Sequence, residues 1–140
     1  MSWLAVLAVA VWSPAVGRGV AQVDTLMVVA RRAAAQWVAH DFPGLLASGE
    51  AVMVHLPGAE PSSPLRPAHA AELLRSFAAG TRELDLTVLV VRNVDPDRAY
   101  VEAQRVYQVE GTDVRHSETL YFGFRRVGGS YHLVEIRALP

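Results

Sequence analysis

The sequence predicts an α+β fold, with two to three helices packed on one face of a curved antiparallel sheet. Helix-like apolar spacing predominates between Asp24 and Gly80, with one short strand-like segment between the helices. Four strand-like segments then fill the stretch from Leu84 to Pro140, joined by short turn-forming sequences. Short connections favour an antiparallel meander. The predicted order is therefore helix, short helix, strand, helix and four-stranded meander.

Composition bounds the function. The chain has 140 residues, 51% of them hydrophobic, which suits one domain with a substantial core. It has no cysteine, which excludes disulfides and thiol nucleophiles, and its 13 cations are all arginine, which excludes lysine Schiff bases. The net charge of −1 gives no basic field, so nucleic acid is not an expected partner. No GxGxxG or P-loop motif occurs, and no cofactor is expected.

The first residues predict a secretory signal peptide over residues 1–21. An apolar run from Leu4 to Trp12 precedes small residues, and cleavage is expected after Ala21. A membrane anchor and a buried first helix are the alternatives, but the run is shorter than the about 20 residues that cross a bilayer. We therefore expect a single domain over 22–140, secreted or periplasmic and without a membrane anchor after cleavage.

Apolar spacing and capping residues place the helices. Asp24 to His40 is predicted as a helix, and Asp41 as the cap of a short helix that ends near Gly49. The second long helix starts at Pro67 and is closed by Gly80. The predicted buried positions on the two long helices are Leu26, Ala30, Ala33, Trp37, Ala70, Leu73, Leu74 and Phe77.

The predicted strands are Ala51–Leu56, Glu83–Arg92, Arg98–Val109, Val114–Arg126 and Ser130–Leu139. Residues 110–113 read as a two-residue hairpin loop with Gly111 first, as in a type II′ turn. That loop pairs residues whose numbers sum to 223. The resulting pairs are Val101 with Phe122, Ala103 with Leu120, Arg105 with Glu118, and Tyr107 with His116. Two apolar faces then coincide, which supports the register.

The last hairpin, around Gly128, allows two registers. A plain two-residue loop places Glu135 beside Phe122. A three-residue loop with a glycine bulge places Val134 beside Phe124 and Ile136 beside Phe122. Hydrophobic matching favours the bulged version.

Four polar residues project from the apolar face in this register: Arg105, Glu118, Tyr107 and His116. Charged side chains that face the core cost free energy unless they are paired, so the inward position of this group calls for an explanation. One hypothesis is a ligand pocket, with Arg105 binding an anion or carbonyl and His116 transferring protons. The other is an ion pair that ties two strands together. Trp37 is predicted to be core or a wall of that pocket.

The opposite face of the sheet is predicted to be either solvated or a homodimer interface, since Tyr and Arg are enriched at interfaces. Its candidate residues are Glu102, Gln104, Thr119, Tyr121, Arg125, Glu135 and Arg137. The histidines lack HxH or HExxH spacing, so no metal site is expected.

Several segments resemble one superfamily. They are Val52–Gly58 (VMVHLPG), Ala70–Phe77 (AAELLRSF), Tyr121–Arg125 (YFGFR) and Gly128–Arg137 (GGSYHLVEIR). The chain resembles the nuclear transport factor 2-like superfamily, the cystatin-like cone. Within it, the chain is most similar to an exported bacterial family, domain of unknown function 4783. The resemblance implies a pocket between helices and sheet and dimerisation through the sheet.

Two functions stay open, because this superfamily includes both binding modules and enzymes. The first is an exported non-enzymatic module that binds a small ligand or a protein, as a homodimer. The second is an isomerase, dehydratase or hydrolase. In it His116 or Glu118 would be the base, and Arg105 or Tyr107 would stabilise an oxyanion.

Overall fold

The computed structural model describes residues 18–140, with side chains from Thr25 onward. The predicted α+β order is confirmed. The elements are α1 (Arg18–Val38), α2 (Phe42–Leu45), β1 (Met53–His55), α3 (Pro67–Ala78), β2 (Thr81–Asp95), β3 (Arg98–Val109), β4 (Arg115–Val127) and β5 (Ser130–Leu139). The apolar run predicted as a signal peptide lies outside the described residues. From residue 18 onward, no helix is long and apolar enough to cross a membrane.

The five strands form one sheet in the order β1-β5-β4-β3-β2. β1 runs parallel to β5, and the other neighbours are antiparallel. The helices bury their apolar stripes against the inner face of this sheet, where Val101 and Phe122 are fully buried. Trp37 lies in this core, with its ring 6.3 Å from that of Phe122.

Each helix begins and ends for a local reason. The side chain of Asp41 accepts a hydrogen bond of 3.0 Å from the Gly44 amide and caps α2, as predicted. Pro67 opens α3, and Gly80 follows that helix with φ 72°. All four predicted stripe positions of α1 are buried. The α3 prediction was wrong at Leu73, which is exposed, because the helix buries Ala71 and Ala78 in the core instead.

The predicted register of β3 and β4 is confirmed over all four pairs. The predicted geometry of the turn that joins these strands was wrong. The Thr112 amide donates to the Val109 carbonyl, so the four-residue turn runs from Val109 to Thr112. Gly111, with φ 83°, is the third residue of this turn, whereas it is the second residue of the predicted turn over 110–113. The ladder ends at Gln108 and Arg115, which leaves the register unchanged.

The last hairpin combines the two predicted registers. Val127 pairs with Ser130 around a plain two-residue loop, and Phe124 lies opposite Leu133. A bulge at Val134 then shifts the pairing, so Phe122 lies opposite Ile136, as the favoured prediction had it. The bulge sits inside the strand rather than in the loop because it lets Leu133 and Ile136, three residues apart, both face the core.

Both edges of the sheet are protected. Beside β1, the proline-rich loop folds back: Val52 and Leu65 exchange two backbone hydrogen bonds, and the Ser62 amide donates to the Val54 carbonyl. β1 is shorter than the predicted Ala51–Leu56 because its ladder with β5 covers only Met53 to His55. On the other edge, β2 is interrupted by three register shifts. Prolines and bulges are the devices that stop a free edge from adding another strand.

Candidate functional site

The interior polar group is centred on Arg105, whose side chain is 1% exposed. Its Nη1 donates to Glu118 Oε1 at 2.6 Å. Its Nε donates to both carboxylate oxygens of Glu83, at 3.1 and 2.9 Å, and its Nη2 donates to Glu83 Oε1 and to the Thr81 hydroxyl. The predicted pairing of Arg105 with Glu118 is therefore confirmed, and Glu83 is the third charged residue of the same cluster.

Glu83 is the member that sequence reasoning missed. Simple alternation in β2 would place Leu84 and Leu86 inward and Glu83 outward. A bulge at Leu84 reverses the direction: Glu83 pairs with Tyr107 and Leu86 pairs with Arg105, so both face inward. The one available signal was stoichiometric, since a buried guanidinium has five N–H donors and Glu118 alone could not satisfy them.

Aromatic rings enclose the guanidinium of Arg105. Its Cζ lies 4.0 Å from the centroid of the Tyr107 ring and 5.4 Å from those of Trp37 and Phe77. Cations are stabilised over aromatic faces at such distances. Trp37 is thus a core residue, as one of the two predictions had it, and its ring also packs against the buried guanidinium. Its own Nε1 has no hydrogen-bond partner among the described residues, so packing holds the ring.

The pairing fixes the ionisation of the cluster. Burial alone would raise the pKa of Glu83, but the hydrogen bonds and charge of Arg105, and to a lesser degree those of His40, bring it below its ordinary value of about 4.5. Burial alone would lower the pKa of Arg105, but Glu83 and Glu118 together raise it. Glu83 is therefore a carboxylate and a weak base, and Arg105 is a cation whose charge is matched within the protein.

His40 connects the cluster to the end of α1. It has φ 52°, an unusual value for a residue other than glycine, and follows the helix as its left-handed stop. Its Nε2 lies 3.0 Å from Glu83 Oε1, and its ring stacks on Phe42. The bond to Glu83 and the stacking account for a histidine where glycine is usual.

The four predicted pocket residues are not equally placed. Arg105 and Glu118 are buried together, and Tyr107 covers them. His116 is exposed at the rim, where its ring stacks on Tyr107 at 5.3 Å between centroids. It has no hydrogen bond to the cluster. The arrangement thus joins Arg105, Glu118 and Tyr107, whereas His116, the residue predicted to transfer protons, makes no hydrogen bond to the charged group.

The predicted interface residues do share the outer face of the sheet. One row runs straight across all five strands: Val90, Glu102, Tyr121, Arg137 and His55. Arg137 lies over the Tyr121 ring at 5.2 Å, and its Nε is buried without a hydrogen-bond acceptor among the described residues. The next row holds Tyr100, Gly123 and Glu135.

Gly123 shapes this face. The Tyr100 ring passes over it, and the Tyr100 hydroxyl donates to Glu135 Oε2 at 3.3 Å. A Cβ at position 123 would come 3.0 Å from Glu135 Cβ and 3.3 Å from Tyr100 Cε1, so any other residue would have to displace Glu135 or the Tyr100 ring by a few tenths of an ångström. Beside it lies a shallow hollow of about 230 Å³, lined by Val90, Arg92, Val94, Tyr100, Glu102, Tyr121 and Arg137.

Charges on the outer face differ in how they are paired. Arg125 donates to Glu50 at 3.0 Å, and His132 approaches the other oxygen of Glu50. Glu102, in contrast, has no hydrogen-bond or ion-pair partner among residues 25–140. Within the same stretch, no group of three His, Asp or Glu side chains is arranged to hold a metal ion.

No protein-family model matches the sequence, and no curated protein matches it significantly. Solved structures match its fold. A ketosteroid isomerase-like protein from Erwinia carotovora superimposes with a TM-score of 0.66 and 16% identity, over 84% of this chain and 94% of that one. An NTF2-like protein with a cystatin-like fold from Novosphingobium aromaticivorans gives 0.62 and 18%, over 86% and 82%.

The fold is the nuclear transport factor 2-like, or cystatin-like, fold. A protein of the domain of unknown function 4783 family from Bacteroides ovatus also matches, with a TM-score of 0.61, 12% identity and coverage of 74% of this chain and 87% of that one. The predicted resemblance is therefore confirmed as a fold. At these identities, the nuclear transport factor 2-like fold does not by itself assign an activity.

Proposed function

We propose that this protein is an exported, non-catalytic binding module that forms a homodimer through the outer face of its sheet. The contrast between its two faces carries the proposal. Inside, the Arg105 cation is paired with both Glu83 and Glu118, and all three side chains are closed to solvent. Outside, Glu102 has no hydrogen-bond or ion-pair partner among residues 25–140, and Arg137 Nε lies 3.9 Å from Glu135 Oε1, beyond hydrogen-bond distance. Unsatisfied polar groups are expected where a partner completes them.

The sheet edges support the same choice of surface. The proline-rich loop covers β1, and bulges interrupt β2, so strand addition is disfavoured at both edges. A partner would therefore meet the face. That face offers Tyr100, Tyr121 and Arg137, residue types enriched in interface cores.

Analytical ultracentrifugation of the chain from Gln22 to Pro140 tests the dimer. We expect a dimer at micromolar concentration, and a monomer when Tyr121 is changed to Asp on the outer face. Arg75→Asp is the matched control, because Arg75 is exposed on α3, away from the outer face of the sheet, and pairs with Glu72 on the same helix. A wild-type chain that stays monomeric at high concentration, or a Tyr121→Asp variant that still dimerises, would overturn the proposed interface.

The export part of the proposal rests on the apolar run near the amino terminus. Expression of the full chain in a bacterium, followed by fractionation and amino-terminal sequencing, is the direct test. We expect a processed product beginning at Gln22 outside the cytoplasm. An uncut product in the cytoplasm would contradict it.

One observation favours an enzyme as the second candidate: a structural match is described as ketosteroid isomerase-like. In this chain, Glu118, which is buried against Arg105 beneath the Tyr107 ring, would be the base. An assay for ketosteroid isomerisation, with Glu118→Gln as the inactive control, tests it. Turnover by the wild type that disappears in the variant would replace the non-catalytic proposal.

A further inference from the structure

The order of charged residues in the outer-face row across the sheet constrains the direction in which a twofold axis can lie. Glu102 on β3 and Arg137 on β5 flank Tyr121 on β4. Neighbouring strands lie about 4.8 Å apart, so the backbones of Glu102 and Arg137 stand roughly 10 Å apart with Tyr121 between them. Glu102 therefore does not pair with Arg137 of its own chain.

Two copies that meet through the same face are related by a twofold axis lying in the interface. An axis across the strands would place Glu102 over Glu102 and Arg137 over Arg137, which is repulsive. An axis along β4 exchanges the two sides of the row, so each Glu102 meets an Arg137 of the other copy. The order of charges thus distinguishes the two arrangements.

Residues on the axis itself meet their own copies, and β4 is suited to this. Its outward residues include Thr119, Tyr121 and Gly123, all uncharged, and the charge of Arg125 is matched by Glu50 in the same chain. Like charges therefore do not meet unpaired along β4.

From this we infer that the occupant of the outer face is a second copy of this chain, whose twofold axis runs along β4 and which is joined by two reciprocal Glu102–Arg137 ion pairs. The inference rests on the proposed homodimer and deepens it, by naming the axis and the residues that select the partner. Each arginine would gain a carboxylate acceptor that its own chain does not provide at hydrogen-bond distance. Each Glu102 would gain an ion-pair partner, which it lacks among residues 25–140 of its own chain.

Charge reversal tests the pairing. We expect Glu102→Arg and Arg137→Glu, each alone, to weaken the homodimer about tenfold or more, because each places like charges opposite one another twice. The double variant restores the opposite charges, so its dimer should return to within a few-fold of the wild type. Circular dichroism and urea unfolding of each variant establish that it remains folded.

Mixing the two single variants is the sharper experiment. In a mixed dimer, the two arginines of Glu102→Arg face the two glutamates of Arg137→Glu, so native mass spectrometry should show the heterodimer in preference to either homodimer. Arg75→Glu, on the exposed surface of α3 and away from this face, is the matched control. Mixed with Glu102→Arg, it should form the heterodimer no more often than random mixing predicts.

The outcomes separate the two claims. A wild-type chain that remains monomeric would overturn the proposed function itself. A wild-type dimer whose double variant stays dissociated, or whose single variants do not combine, leaves the homodimer standing and overturns the axis and its ion pairs.

Discussion

At the scale of single residues, Glu83 holds Arg105 at more points than Glu118 does. It accepts from both Nε and Nη2, whereas Glu118 accepts from Nη1 alone. Glu83 Oε1 also lies within hydrogen-bond distance, 3.0 Å, of His40 Nε2. Loss of Glu83 therefore leaves several buried donors unpaired, and such losses are among the costliest that a single substitution causes.

Glu83→Gln should lower the free energy of unfolding by about 3 kcal/mol, the range found when one partner of a buried ion pair is removed. Urea unfolding measures it. Glu72→Gln is the matched control: Glu72 pairs with Arg75 on the exposed surface of α3, and its loss should cost less than about 0.5 kcal/mol. Equal effects of the two substitutions would contradict a structural role for the cluster.

Replacing all three charged residues of the cluster should lower the free energy of unfolding less than replacing one of them. The triple variant Glu83→Leu, Arg105→Met and Glu118→Leu removes all three charges while nearly conserving volume. We expect it to be more stable than Glu83→Gln, because no buried charge is left without a partner. A triple variant less stable than the single variant would show that the ion pairs themselves stabilise the fold.

Stability should depend on pH through Glu83. Its pKa is lower in the folded protein than its ordinary value of about 4.5, so its contribution is fully present above that value. The contribution is lost as pH falls through the folded pKa, because the unfolded chain then binds the proton more readily. Unfolding free energies from about pH 6 to about pH 3 should fall less steeply for Glu83→Gln than for wild type. Parallel curves would contradict this linkage.

At the scale of elements, β2 shows which features alternation can predict. The register of β3 and β4 was predictable because Val101, Ala103, Leu120 and Phe122 make one apolar face and a single short turn joins the strands. The bulge at Leu84 was not predictable, because its cause is a contact with Arg105 from another strand. The same limit applied at Val134, where the shift serves Leu133 and Ile136.

The bulge at Leu89 allows a direct test of edge protection. Val88 pairs with Ala103 and Val90 with Glu102, so deletion of Leu89 leaves every other pair in register and makes the edge more regular. We expect the deletion variant to fold and to aggregate faster, as followed by light scattering, because a regular edge accepts another strand.

Leu89→Ser is its matched control. It removes the same exposed side chain and keeps the bulge. Faster aggregation of the deletion variant than of Leu89→Ser would assign the effect to backbone geometry. Equal rates would remove edge protection as the role of this bulge.

At the scale of the molecule, the order of the strands predicts how stability is distributed. β3 and β4 have a neighbour on both sides and carry fully buried residues such as Val101 and Phe122. We expect their amides to exchange slowest with deuterium, and those of β1 and β2 to exchange faster. Hydrogen exchange followed by NMR measures this. Protection in β2 equal to that in β4 would contradict it.

The parallel pairing of β1 with β5 also sets the order in which the chain can assemble. β1 is made early in translation, yet its neighbour lies roughly eighty residues further along the chain. The hairpins of β2, β3, β4 and β5 join strands that are adjacent in sequence and can form as each strand leaves the ribosome. β1 has no place in the sheet until β5 exists, so the amino-terminal elements wait for the final strand before the domain can close.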